Sequence, residues 1–173
     1  MCVDYSSWKK LTIGEDIFQS FPLFERANSI YYLDQSLYRY YKRENSITTS
    51  EKPHFYEMRK MLWEREDEYL SSWHVCEETI GRCSRTRCHE IIRYAVTTAK
   101  ENPYRKFHRI IDEIRQDGYF AHAMEKANLS GRFLLYGRLL LHNAPLLLYL
   151  SLLIESAINT ITRMRTPLRR EQV

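Results

Sequence analysis

The chain has 173 residues, of which 44% are hydrophobic and 28% are charged, and its formal net charge is +4 at pH 7. This length suffices for one domain with a sizeable core, and the composition is that of an ordinary soluble protein. Only five glycines are present and no GxGxxG or Walker-type sequence occurs, which argues against a glycine-rich phosphate loop. The polar first ten residues lack the apolar segment of a signal peptide, so a cytoplasmic location is expected.

The first predicted helix begins near Gly14 and carries two carboxylates in its first turn. Glu15 and Asp16 follow Gly14, which can occupy the N-cap position. Free amides and the helix dipole favour negative charge at this end of a helix. Pro22 removes one backbone hydrogen bond and is expected to bend the helix. The apolar side of the helix is predicted to consist of Phe18, Phe21, Leu23 and Phe24.

Two short stretches rich in aromatic and aliphatic residues come next, at 30–33 and 37–41. This composition is typical of β-strands, and Asp34-Gln35-Ser36 between them is suited to a turn. A polar loop at 43–48 closes the region. The residues alone therefore predict a capped helix packed on a short β-hairpin.

Four sequence pieces in this region occur together in a specific order. They are Gly14-Glu15-Asp16, Ile30-Tyr31-Tyr32-Leu33-Asp34, Leu37-Tyr38-Arg39-Tyr40 and Arg43-Glu44-Asn45-Ser46-Ile47. On these pieces, the stretch resembles the C-terminal part of the catalytic domain of family 2 glycosyltransferases, especially bacterial enzymes that build surface polysaccharides. The resemblance covers under a third of the chain. It implies an α/β fragment of the GT-A fold, in which the acidic-pair helix and the β-hairpin are followed here by a mainly α-helical extension.

The resemblance also implies an activity, namely inverting transfer of a sugar from a nucleotide-sugar donor to a glycan or lipid-linked acceptor. In that family the aspartate of the acidic pair is the general base, which corresponds to Asp16, while Glu15 would orient the site or bind the acceptor. The family often has an arginine after the second tyrosine of the Tyr-x-Tyr strand, and this chain has Tyr41 there. The implied substrate-binding residues lie in the adjoining loop: Lys42, Arg43 and Ser46. For Arg43, a solvated loop cation is an equal alternative.

The resembled family also requires a nucleotide-binding half with an Asp-x-Asp motif, which holds Mg or Mn against the diphosphate leaving group as a Lewis acid. No Asp-x-Asp occurs in this sequence, so no metal or cofactor is expected to bind the chain itself. The expectation is therefore a back portion of a glycosyltransferase, arising from truncation, gene splitting or an incompletely defined gene. Such a portion is expected to be inactive without its N-terminal half.

After a catalytic portion at 1–49, residues 50–128 predict a helical extension. One helix is expected to follow a cap at Ser50, and a second to span about 77–100. A third is expected to begin at Asn102-Pro103 and to end at Asp117-Gly118. Each predicted helix has one apolar stripe, so the three are expected to pack together or against the catalytic portion.

A group of thiols and imidazoles between residues 74 and 89 raises the question of a zinc site. Its members are His74, Cys76, Cys83, Cys88 and His89. They lack paired ligands at gaps of two to four residues and would lie along helices, so no metal site is predicted. Cys88 falls on an apolar stripe and is expected to be a small core residue.

The third predicted region, residues 129–173, is leucine-rich and basic. Two helices are predicted, at 133–141 and 146–154, with Ser130 as the first N-cap and a break at Asn143-Ala144-Pro145. Neither reaches the ~20 apolar residues of a spanning helix. The region holds six arginines and two glutamates, and therefore carries the whole net charge.

Two interpretations of this region are open: a helical hairpin packed on the preceding helices, or a peripheral surface on an anionic membrane. The alternative function for the whole chain is accordingly a non-catalytic helical module that binds a membrane or a partner protein. Nucleic acid is not a predicted partner, because no aromatic residues are interleaved with the terminal arginines.

Overall fold

The computed structural model describes residues 14–38 and 54–165, which form seven α-helices. In chain order these are α1 (Glu15–Arg26), α2 (Phe55–Ser72), α3 (Glu77–Glu101), α4 (Tyr104–Asp117), α5 (Tyr119–Lys126), α6 (Gly131–Leu141) and α7 (Pro145–Arg165). The chain divides into two compact units, Met1–Val75 and Cys76–Val173. The first unit contains α1 and α2, and the second contains α3 to α7.

The prediction of an α/β fold with a β-hairpin is wrong, because the regular secondary structure of the described residues is entirely α-helical and includes no strand. Residues 27–38 after α1 form neither helix nor strand, and this stretch covers the first predicted strand and the start of the second. An isolated hairpin is at best marginally stable and needs a third strand or a packed layer. Within the described part of the first unit, no such layer covers these residues. Positions 39–41 lie outside the described residues.

In the first unit, α1 packs on α2 through a small apolar cluster, which consists of Phe18, Phe21, Leu62 and Tyr69. The rings of Phe21 and Tyr69 lie 5.1 Å apart between centroids, within the range of a favourable aromatic pair. Gly14 is the N-cap of α1 with φ 81°, and a Cβ at this position would lie 2.7 Å from Cδ2 of Leu62. Glycine therefore permits both the left-handed backbone and the close approach of the two helices.

The predicted apolar side of α1 is only partly correct. Phe18 and Phe21 are buried, whereas Leu23 and Phe24 are exposed. Leu23 lies about 200° around the helix from Phe21, because each residue advances an α-helix by about 100°. Pro22 lies inside α1, which nevertheless continues to Arg26.

In the second unit, α3 contacts each of the other four helices. The most deeply buried side chains come from all five helices: Cys88, Ile91, Ile92, Phe107, Ile111, Ile114, Phe120, Leu140, Leu148 and Leu152. The prediction that Cys88 is a core residue is confirmed, and burial raises the pKa of its thiol to about 12. This thiol is therefore protonated at neutral pH.

The helix boundaries predicted for this unit agree closely with the structure, except that the last helix was expected to end at 154 and continues to Arg165. The second predicted helix is α3, and the third is α4, which starts after Pro103 and ends at Gly118. The caps and breaks of the last two helices are also confirmed at Ser130 and before Pro145. The sequence analysis missed α5, which has only eight residues and begins directly after Gly118. The φ of 78° at Gly118 ends one helix and starts the next, so a single glycine separates them.

A three-residue polar cluster joins α6 to α7. The half-buried carboxylate of Glu155 accepts a hydrogen bond from Nη1 of Arg132 at 2.6 Å and another from the hydroxyl of Tyr136 at 2.6 Å. Charge-assisted hydrogen bonds of this kind are stronger than neutral ones. This cluster therefore fixes the side of α7 that faces α6.

Ionisation of the Tyr136 hydroxyl should make the stability of the second unit depend on pH in the alkaline range. Burial has the larger effect and the hydrogen bond to Glu155 the smaller, and together they raise the pKa of Tyr136 from 10 to about 12. The folded state therefore holds this proton more tightly than the unfolded state, and the resulting stability is complete below pH 10. We expect the free energy of unfolding to fall as the pH rises from about 10 to about 12, as measured by denaturant titration with circular dichroism.

Tyr136→Phe should lack this part of the pH dependence, because phenylalanine has no proton to lose. Tyr31→Phe is the matched control, since Tyr31 is exposed in the first unit. The control should retain the decrease seen in the wild-type chain. An identical decrease in Tyr136→Phe would show that this hydroxyl is not its source.

Candidate functional site

The carboxylate of Asp16 lies in the first turn of α1 and is exposed to solvent. Its Oδ1 accepts a hydrogen bond from the backbone N–H of Ile17 at 2.9 Å. The backbone carbonyl oxygen of Asp16 accepts a separate hydrogen bond from the hydroxyl of Ser20 at 2.8 Å, within the helix. The bond from Ile17 holds the side chain at the N-terminus of α1, where the helix dipole favours an anion. A hydroxyl group arriving from solvent can reach this carboxylate.

The structure brings to the start of α1 a cation that the sequence analysis did not indicate. Arg59 projects from α2, and its Nη1 lies 3.6 Å from the position that a Cβ of Gly14 would occupy. Its guanidinium carbon also lies 5.7 Å from the ring centroid of Trp63, a cation–π distance. Leu62, three residues after Arg59 on α2, approaches the same glycine, and no signal in the sequence alone indicates this packing. The packing of α1 on α2 therefore brings a guanidinium close to Gly14, the N-cap of α1.

The segment that follows α1, residues 28–38, exposes an unusual amount of apolar surface, and we call it the aromatic segment. Its six large apolar side chains are between 62% and 88% exposed: Ile30, Tyr31, Tyr32, Leu33, Leu37 and Tyr38. Single exposed apolar residues are common on proteins, but a contiguous run of them marks an interaction site. The aromatic segment is thus a candidate binding surface directly after the helix that carries Asp16.

The other predicted site residues are only partly placed. Glu15 is the first residue of α1, and the structure describes its backbone but not its side chain. The predicted substrate-binding residues Lys42, Arg43 and Ser46 lie outside the described residues. The structure therefore places Asp16 in the first turn of α1 and Arg59 close to Gly14, and the contribution of residues 43–48 stays a prediction.

The thiols and imidazoles considered as metal ligands are spread over differing environments. Cys76 is exposed at the start of α3, Cys83 is half-buried and Cys88 is fully buried. Across residues 14–38 and 54–165, no three His, Cys, Asp or Glu side chains converge as a metal site would require. The ring of His89 instead stacks on Phe133 with 4.1 Å between centroids, and burial lowers its pKa. His89 thus serves the packing of α3 against α6.

Comparison of the chain with protein-family profiles, with curated protein sequences and with solved structures found no match. Among the helices that the structure describes, none combines the length and the apolar character needed to cross a bilayer. Functional inference for this chain consequently depends on its own residues and their geometry.

Proposed function

We propose that residues 14–48 form the acceptor side of an inverting family 2 glycosyltransferase. The reaction moves a sugar from a nucleotide-sugar donor to a glycan or lipid-linked acceptor in surface polysaccharide synthesis. The observation that carries this proposal is the exposed Asp16 at the start of α1, followed by the aromatic segment and the Arg-x-Asn-Ser-Ile loop in the order of that family. A nucleotide-sugar donor also assigns the chain to the cytoplasm, at the inner face of the membrane when the acceptor is lipid-linked.

In this proposal Asp16 is the general base. The acceptor hydroxyl oxygen forms a bond to the anomeric carbon of the donor, the bond from that carbon to the nucleoside diphosphate breaks, and Asp16 takes the hydroxyl proton. A hydroxyl becomes acidic only as the new bond forms, so the base must already be within hydrogen-bond reach. The exposed position of Asp16 and its fixed place in the first turn of α1 support this role.

Cationic residues have a separate role in the proposal. The guanidinium of Arg59 on α2 lies close to Gly14 at the start of α1, and in the proposal it binds an anionic group of the donor or acceptor. Arginine suits this task because its planar guanidinium donates two parallel hydrogen bonds to phosphate or carboxylate. Glu15 orients the acceptor, and the adjoining loop contributes its substrate-binding residues: Lys42, Arg43 and Ser46.

A second polypeptide segment is needed to complete the enzyme, and the aromatic segment supplies the surface for it. Six exposed apolar side chains over 11 residues are unfavourable in water and are covered when a partner packs on them. We assign this partner as the nucleotide-binding half of the same enzyme, because the aromatic segment directly follows the helix of the proposed base. The partner thus forms the donor side of the site.

The residues of this chain do not fit the Mg or Mn ion that the resemblance implies for the complete enzyme. The sequence has no Asp-x-Asp, and the described residues contain no converging group of three ligands. In the proposal, the nucleotide-binding half therefore holds the metal, and no step is assigned here to metal-binding residues of this chain.

The experiment that tests the proposal uses the DNA directly upstream of the Met1 codon. We expect this DNA to encode, in some frame, a strand–helix domain with Asp-x-Asp. When that domain is produced together with the chain, labelled sugar should pass from a nucleotide sugar to a glycan or lipid acceptor. The purified chain alone should not hydrolyse or transfer the donor. Donor turnover by the chain alone, or the absence of such a domain, would contradict the proposal.

The proposed contact between the aromatic segment and the nucleotide-binding half can be tested separately from activity. Tyr31→Ser with Tyr32→Ser should weaken co-purification of the chain with the nucleotide-binding domain. Met61→Ser is the matched control, because it also removes an exposed apolar side chain from the first unit, on α2. Equal losses in the two variants would show that the aromatic segment is not the contact surface.

A further inference from the structure

The solvent side of α7 carries a continuous row of large apolar side chains, which we call the α7 stripe. Its members are between 47% and 60% exposed: Leu146, Leu147, Leu150, Ile154 and Ile158. Leu146 and Leu147 are adjacent, and from Leu147 onwards the members recur at intervals of three and four residues, the spacing of one helix face. From first to last they extend about 18 Å along the helix axis. The α7 stripe is therefore one narrow apolar surface.

The same helix is also apolar on its opposite side. Leu148 and Leu152 are fully buried in the core of the second unit. Residues 145–162 contain a single charged residue, Glu155, which binds Arg132 and Tyr136 of α6. No charged side chain therefore interrupts the α7 stripe, although surface helices normally place charged residues on the side away from the core.

The residues that follow the α7 stripe are basic. Four arginines come after residue 162: Arg163, Arg165, Arg169 and Arg170. One acidic residue, Glu171, lies among residues 163–173. An apolar helix face joined to a cluster of arginines is the pattern of a helix that lies in the plane of an anionic bilayer surface.

The dimensions of the α7 stripe argue against a second copy of this chain as its occupant. Stable protein–protein interfaces involve about 20–30 residues on each side. The α7 stripe offers five large side chains and is one helix wide. A bilayer imposes no such requirement, because the apolar face enters the boundary between headgroups and acyl chains while the cations bind lipid phosphates.

We propose that the α7 stripe binds the surface of an anionic lipid bilayer, with α7 parallel to the membrane plane. The four arginines that follow the stripe in the sequence supply the attraction to lipid phosphates. This inference does not depend on the glycosyltransferase proposal, since it concerns a different unit of the chain. Of the two interpretations open for residues 129–173, the structure bears out the packed helical hairpin, since α6 and α7 pack on α3 and α4. The membrane proposal concerns only the exposed side of α7.

The test is co-sedimentation of the full chain with vesicles. The wild-type chain should bind vesicles of phosphatidylcholine with phosphatidylglycerol, and binding should weaken as salt is raised. Leu150→Glu with Ile154→Glu should lower the partition coefficient at least about tenfold, because two carboxylates then replace the centre of the apolar face. The matched control is Thr97→Glu with Gln116→Glu, which adds the same charge at exposed positions of α3 and α4.

A further variant separates the apolar contribution to vesicle binding from the electrostatic contribution. Arg163→Gln with Arg165→Gln should weaken binding to the anionic vesicles and remove much of its salt dependence, with little effect on vesicles of phosphatidylcholine alone. Circular dichroism shows whether each variant is folded. Failure of the folded wild-type chain to bind anionic vesicles would overturn the proposal, as would equal losses in the control pair. A self-association that Leu150→Glu with Ile154→Glu abolishes, seen by analytical ultracentrifugation without vesicle binding, would assign the α7 stripe to a second copy instead.

Discussion

Asp16→Asn should lower the rate of sugar transfer by the complete enzyme by about 10²–10⁴-fold, the range that positioned general bases contribute. Asparagine has the size of aspartate, and its side-chain oxygen can still accept the hydrogen bond that the N–H of Ile17 donates. It cannot take a proton from the acceptor. The loss should therefore appear mainly in kcat, measured with labelled donor at saturating acceptor, while the KM for the donor changes little.

Two further variants show whether such a loss reports a base. Glu25→Gln removes a carboxylate from the last two turns of the same helix and should leave the rate unchanged. Asp16→Glu retains a carboxylate at a shifted position and should keep more activity than Asp16→Asn. The free energy of unfolding should change by no more than about 1 kcal/mol in Asp16→Asn, because the charge interacts mainly with the helix end. Retained transfer in Asp16→Asn would exclude Asp16 as the base.

Phe107→Ala should lower the free energy of unfolding of the second unit by about 3–5 kcal/mol, the usual cost of removing a fully buried phenylalanine. The side chain of Phe107 is completely buried on α4, and its ring centroid lies 5.1 Å from that of Tyr149 on α7. Alanine would leave a cavity in a core to which all five helices of this unit contribute. Urea denaturation followed by circular dichroism measures the change.

The matched control for this prediction is Gln116→Ala, an exposed position of the same helix. Its effect should stay within about 0.5 kcal/mol, as for other surface substitutions. A cost below about 1 kcal/mol for Phe107→Ala would contradict the packing of α4 against α7, because a truly buried ring cannot be removed so cheaply.

Only part of the candidate site could be predicted from the sequence. The sequence placed Asp16 in the first turn of a helix, and the structure confirms that position. It did not indicate Arg59, because only the packing of α1 on α2 brings this residue to Gly14. The substrate-binding roles of Lys42, Arg43 and Ser46 stay predictions, since these residues lie outside the described part of the chain.

By itself, the sequence determined most of the helices of the second unit. Helix starts and stops depend on local chemistry, and Pro103, Gly118 and Ser130 each act within one turn of their own position. Apolar spacing then identified the buried faces of α3 and α4, because a helix with one apolar side must cover that side. Both signals need no information from distant residues.

Only the tertiary structure decided the features that depend on what lies opposite a residue. Residues 30–38 have the composition of strands, but a strand requires a neighbour to hydrogen-bond, and the described residues provide none. Leu148 and Leu150 are identical in the sequence and two positions apart, yet one is buried and the other forms part of the α7 stripe. Local patterns fix which residues are apolar and which segments are helical, whereas long-range packing fixes which apolar residues are covered.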